Sequence, residues 1–83
     1  MTKYNVVVID ANGVIIAVEE YNPSQRQKSV SEAASRLAQR LNMTAPEFRN
    51  SATDGLGNSW GRMTGDLQPG MVEIGLGKWG FPT

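Results

Sequence analysis

Cysteine and histidine are both absent from this chain of 83 residues. Without cysteine there is neither a disulfide framework nor a thiolate metal site, which excludes a disulfide-stapled secreted scaffold and fits a reducing, cytoplasmic setting. Without either residue, the commonest general base and the best thiol nucleophile are also missing. The acids do not compensate. Glu19 and Glu20 point to opposite faces of a strand, and the remaining carboxylates are scattered along the chain. The reading is of a protein that is not an enzyme and needs no cofactor or metal.

Long apolar runs are lacking as well. Met1-Thr2-Lys3 leads directly into a strand-like run with no small-residue cleavage site, so neither a membrane span nor a secretion signal is expected. Net charge is also missing, with 8 Lys and Arg against 8 Asp and Glu, which removes the simplest argument for a nucleic-acid binder. The balance is local rather than uniform. Residues 22–49 hold Arg26, Lys28, Arg36, Arg40 and Arg49 against Glu32 and Glu47, whereas residues 1–21 hold Lys3 against Asp10, Glu19 and Glu20. A nucleic-acid-binding role resting on the basic 22–49 segment is therefore the alternative to a protein-binding one.

What is present begins with two β-branched runs, Tyr4–Asp10 and Val14–Tyr21, joined through Asn12-Gly13, the strongest short signal for a hairpin. With Asn12 and Gly13 as a two-residue loop, Ile9 faces Ile16, Val7 faces Val18 and Tyr4 faces Tyr21. One sheet face then collects Val7, Ile9, Ala11, Val14, Ile16 and Val18, and is expected to be the core. The other, with Tyr4, Val6, Val8, Ile15 and Tyr21, is too apolar for a solvated face. It is expected either to be covered by the C-terminal segment or to drive self-association as a homodimer.

Ser29-Val30-Ser31-Glu32 fits a capping box. Val30, Ala33, Ala34, Leu37, Ala38 and Leu41 follow at helical spacing, predicting a helix over 30–42 that stops at Asn42. Thr44-Ala45-Pro46-Glu47 suggests a second, short helix to about Ser51 that buries Phe48. All but one of the 9 glycines fall after Thr53, which excludes helix from 53–83. Residues 71–76 are the one strand-like stretch there and are expected to add a third strand to the hairpin. The fold class is thus α+β in one domain over 1–83, a small antiparallel sheet packed on one main helix in ββα(α)β order.

Two motifs have plain structural readings, a strand bend or mobile tail for the first and an ordinary turn for the second. Gly75-Leu76-Gly77-Lys78-Trp79-Gly80 matches GxGxxG without the strand–turn–helix context of a dinucleotide site. Thr53-Asp54-Gly55-Leu56-Gly57-Asn58-Ser59 resembles a cation loop but has too few acids. The partner-binding candidates are Arg36, Arg40 and Arg49 on and beside the helix, with Trp60, Arg62, Trp79 and Phe81 in the glycine-rich third; tryptophan and arginine carry much of the energy of interfaces. The competing reading places the tryptophans in the core. By size and texture, though by no motif, the chain resembles phage or mobile-element accessory proteins, anti-CRISPR proteins among them. That likeness implies an inhibitor or adaptor acting on another protein, and a self-assembling virion component is a further alternative.

Overall fold

A computed structural model describes residues 2–44 and 51–83. The chain is α+β. Strand β1 (Tyr4–Ile9) and strand β2 (Ile15–Glu20) form the expected hairpin, helix α1 (Arg26–Arg40) follows, and β3 (Ser51–Thr53) and β4 (Ser59–Thr64) pair with each other. The sheet they make has the order β2-β1-β4-β3. Two further strands, β5 (Val72–Gly75) and β6 (Lys78–Gly80), form a separate antiparallel pair.

The first hairpin closes differently from the expected two-residue turn. Asp10 and Val14 bracket a three-residue loop in which Asp10 N–H donates to the Val14 carbonyl at 2.9 Å and Gly13 N–H to the Asp10 carbonyl at 3.0 Å. Gly13 takes the left-handed backbone at φ 80°, as three-residue hairpin loops require of their last residue. The longer loop shifts the register, so Ile9 faces Ile15 instead of Ile16, and a bulge in β2 restores the expected Val7–Val18 pairing. Tyr4 and Tyr21 remain opposite each other, bonded at 2.9 Å through the backbone and packed edge to face with ring centroids 6.1 Å apart.

The helix lies on the face formed by Val6, Val8 and Ala17, where Val30, Ala33, Ala34, Leu37 and Ala38 meet the Trp60 indole. This reverses most of the expected core face: Ile9, Val14 and Val18 are only partly buried and Ala11 is exposed, while Ile16, the extra residue at the bulge, packs against the helix-side cluster. Strand alternation fixes which residues share a face but not which of two apolar faces a helix will cover. The bulky indole supplied by β4 decides the matter, since it fills the space above the alanine-rich stripe. The opposite face is buried in part. Val7 and Ile15 have no exposed surface, and Leu67 and Pro69 line a pocket there with Asn5 and Val18.

Residues 71–76 do not extend the hairpin sheet as expected. They meet it through one bridge, Val14 to Val72, and otherwise pair with β6. The strand that does flank β1 is β4, with Val8 opposite Trp60 and Val6 opposite Arg62.

The helix starts earlier than its capping box suggests. A 3-10 turn at Pro23–Gln25 precedes it, and Asn22 Oδ1 accepts from the Ser24 N–H at 3.0 Å and the Ser24 hydroxyl at 2.8 Å. Asn22 thus caps the 3-10 turn, with proline just inside it; α1 itself begins at Arg26 after Gln25 with no side-chain cap, and Ser29 is buried within the helix. The stop is where expected. Asn42 adopts φ 54°, and the Met43 N–H reaches back to the Ala38 carbonyl at 2.9 Å, the six-to-one bond of a Schellman end. The expected second helix and Phe48 fall outside the described residues.

Candidate binding surface

Trp60, expected among the partner contacts, is instead a core residue with no exposed surface. Its Nε1–H donates to Asp54 Oδ2 at 2.9 Å. The other Asp54 oxygen accepts the Leu56 and Asn58 backbone N–H groups at 2.9 and 3.1 Å, and the Asn58 side-chain amide adds a bond to Oδ2 at 3.2 Å. The indole hydrogen bond, with these amides behind it, holds the Asp54 carboxyl below its ordinary pKa. The oxygen-rich 53–59 segment is thus a turn whose one carboxylate is committed to hydrogen bonds within the chain, and no cluster of three metal-ligating side chains occurs among the described residues.

Asp10 builds its loop on the same plan, Oδ1 accepting from Asn12 N–H at 2.9 Å and Val14 N–H at 3.0 Å. The two aspartate-anchored loops sit at the same end of the sheet, so close that a Cβ on Gly57 would lie 4.0 Å from that of Ala11.

The arginine pair on α1 is not a free basic patch. Arg36 Nε donates to Glu19 Oε1 at 2.9 Å and its terminal nitrogen to the Glu20 carbonyl at 3.4 Å. Arg40 donates to the Val18 carbonyl at 2.9 Å and lies 3.3 Å from Glu19 Oε2. Both side chains therefore cover the outer edge of β2. The first part of that edge is taken by the C-terminal segment, through Gly70 N–H to the Ile15 carbonyl at 2.7 Å and Ile15 N–H to the Met71 carbonyl at 2.9 Å. An edge strand occupied in this way is protected against pairing with another chain.

Of the residues expected to mediate self-association, Val6, Val8 and Ile15 lie inside the monomer and have no exposed surface. Tyr4 and Tyr21 line a groove with Pro23, Arg62 and Met63. Arg49 lies outside the described residues.

The remaining candidates are Trp79 on β6 and Phe81 directly after it; with Ile74 and Leu76 of the β5–β6 hairpin, Phe81 makes three of the four large apolar side chains exposed among the described residues, Leu56 being the fourth. Leu76 at the hairpin tip is 100% exposed, Ile74 63% and Phe81 52%, and Trp79 is half-buried opposite Glu73. Local bonds shape the tip: Gly77 N–H donates to Glu73 Oε2 at 3.1 Å, and Gly77 takes φ 71°, which Leu76 in its place would not tolerate. Two glycines seat the apolar side chains. A Cβ at Gly80 would come within 3.0 Å of Ile74 Cδ1, and one at Gly70 within 3.3 Å of the Phe81 ring. The GxGxxG stretch is therefore the turn and second strand of this hairpin, with no helix following. Residue type alone does not mark Ile74 and Leu76; the signal for them is their place at a Leu-Gly tip flanked by Trp79 and Phe81.

No helix among the described residues is long and apolar enough to cross a membrane. No protein-family model, curated protein or solved structure matches this chain.

Proposed function

We propose that this chain is a small non-enzymatic binding protein, an inhibitor or adaptor, that presents its β5–β6 hairpin to another protein. The observation that carries this reading is the exposure of Ile74 and Leu76 on one short hairpin and of Phe81 directly after it. Apolar side chains displayed in a group, instead of singly, are worth about 25 cal/mol per Å² when a partner removes them from water. Trp79 beside them is one of the residue types that carry interface energy. Because Ile74 rests over Gly80 and Phe81 over Gly70, part of the ordering cost of binding is met before the partner arrives. The nucleic-acid alternative draws less support, since Arg36 and Arg40 already face Glu19.

The test is affinity capture on the immobilised chain, with nuclease present, comparing the native sequence with Ile74→Asp/Leu76→Asp. The expected result is a protein retained by the native chain and released by the variant. Equal retention by both, or retention that nuclease abolishes, overturns the proposal.

A further inference from the structure

Asn12-Gly13, which signals the first hairpin, also places an asparagine amide next to a residue with no side chain to obstruct its backbone nitrogen. We infer that Asn12 is a site of spontaneous deamidation whose rate the folded loop restrains. In this reaction the Gly13 backbone nitrogen, after losing its proton to base, attacks Cγ of Asn12. A new N–Cγ bond closes a cyclic imide, and the side-chain nitrogen takes up a proton and leaves as ammonia. Water then opens the imide at one of its two carbonyls, giving either an aspartate or an isoaspartate whose main chain runs through Cβ. Nothing is oxidised or reduced, and water is the only co-reactant.

The other described asparagines lack one requirement or another. Asn5 is buried and gives its side-chain amide to the Met63 and Gly65 carbonyls at 3.1 and 2.9 Å. Asn22 precedes Pro23, which has no N–H to lose. Asn42 precedes Met43, whose N–H is bonded to the Ala38 carbonyl. Asn58 gives its amide to Asp54 at 3.2 Å and precedes Ser59. Asn12 is exposed, and among the described hydrogen bonds it contributes its backbone N–H alone.

The restraint comes from the same loop. Gly13 N–H is held by the Asp10 carbonyl at 3.0 Å and Asn12 N–H by the Asp10 carboxylate at 2.9 Å, which opposes both deprotonation of Gly13 and its swing toward Cγ. Once formed, the product acts on its surroundings. An aspartate puts a second carboxylate beside Asp10, and an isoaspartate lengthens the chain inside the Asp10–Val14 closure, next to the Val14–Val72 bridge that ties β5 to the sheet.

The experiment incubates the full chain at mildly alkaline pH, folded and in concentrated urea, and follows every asparagine by peptide mapping with fragmentation that separates aspartate from isoaspartate. Asn12 is expected to convert several-fold faster than Asn5, Asn22, Asn42 or Asn58 in urea, and several-fold more slowly in the folded chain than in urea. Gly13→Ala, compared in urea so that its folding is immaterial, is expected to slow the conversion by a similar factor. Conversion of Asn12 at the rate of the other asparagines, equal rates with and without urea, or indifference to Gly13→Ala overturns the inference.

Discussion

The Trp60 indole and the Asp54 carboxylate are joined by a 2.9 Å hydrogen bond that links the core to the turn between β3 and β4. The indole is fully buried, so this bond satisfies a donor that water cannot reach. Trp60→Ala removes the largest side chain of the core and is expected to destabilise the fold by about 3–5 kcal/mol. Asp54→Ala is expected to lower the melting temperature more than Asp10→Ala, because Asp10 anchors a similar loop without serving a buried indole. Thermal melts of the three variants check this, and equal effects of the two aspartate changes contradict it.

The same pair sets an acid limit. Asp54 has its carboxyl pKa lowered from 3.8 by the indole bond first and by the Leu56 and Asn58 amides after it. A carboxyl depressed in the folded state contributes stability that is complete above its unfolded pKa and is lost as pH falls through the folded one. Asp66, lowered likewise by its bond to Lys3, acts in the same window. Urea midpoints measured from pH 6 downward are expected to fall below about pH 4, the unperturbed carboxylate range, and to fall less steeply in Asp54→Asn. An acid limb that keeps its slope in that variant rules the explanation out.

Arg36 and Arg40 shield the β2 edge at the Glu20 and Val18 carbonyls. Their ion pairs with Glu19 are half-exposed, so Arg36→Ala/Arg40→Ala is expected to cost no more than about 1 kcal/mol per pair. The larger effect is on association, since an uncovered edge invites strand pairing. Light scattering across a concentration series is expected to show the double variant gaining mass relative to the native chain. Identical masses, with stability unchanged, leave the arginines without this role.

Burial separates the two kinds of leucine. Leu37 is fully enclosed and Leu76 fully exposed. Leu37→Ala is expected to cost about 2–5 kcal/mol, whereas Leu76→Asp should change stability by less than about 0.5 kcal/mol. Denaturant titrations distinguish them, and a large loss in Leu76→Asp means that the hairpin tip packs against the body instead of standing free.

Much of the architecture is legible in local sequence and the remainder is not, for reasons that can be named. The β-branched runs around Asn12-Gly13 specify a hairpin, and Asn42 specifies a helix stop, because both depend on backbone preferences of a few neighbouring residues. The helix start is not marked locally, since Gln25 offers no side-chain cap before Arg26 and the Ser29–Glu32 box, which does fit a start, lies inside the helix. Strand β4 is hidden by Gly61 and its glycine-rich flanks, which read equally well as loop, so Trp60 could not be assigned to the core from its surroundings. Arg36 and Arg40 are legible as a pair at helical spacing, but their partner Glu19 lies on β2, and that pairing arises only when helix and sheet pack. In the candidate surface, Trp79 and Phe81 stand out by residue type. Ile74 and Leu76 do not, because an apolar strand residue announces burial far more often than display.

On the proposed function, contact with a protein partner is made by the β5–β6 hairpin and not by the helix. The most direct test places a photo-crosslinking side chain at Leu76 in one chain and at Glu32, exposed on α1, in another. Both chains are then illuminated under the conditions that yield a captured protein. A protein adduct is expected from position 76 and none from position 32. Adducts formed at position 32, or to nucleic acid from either position, contradict the proposed function.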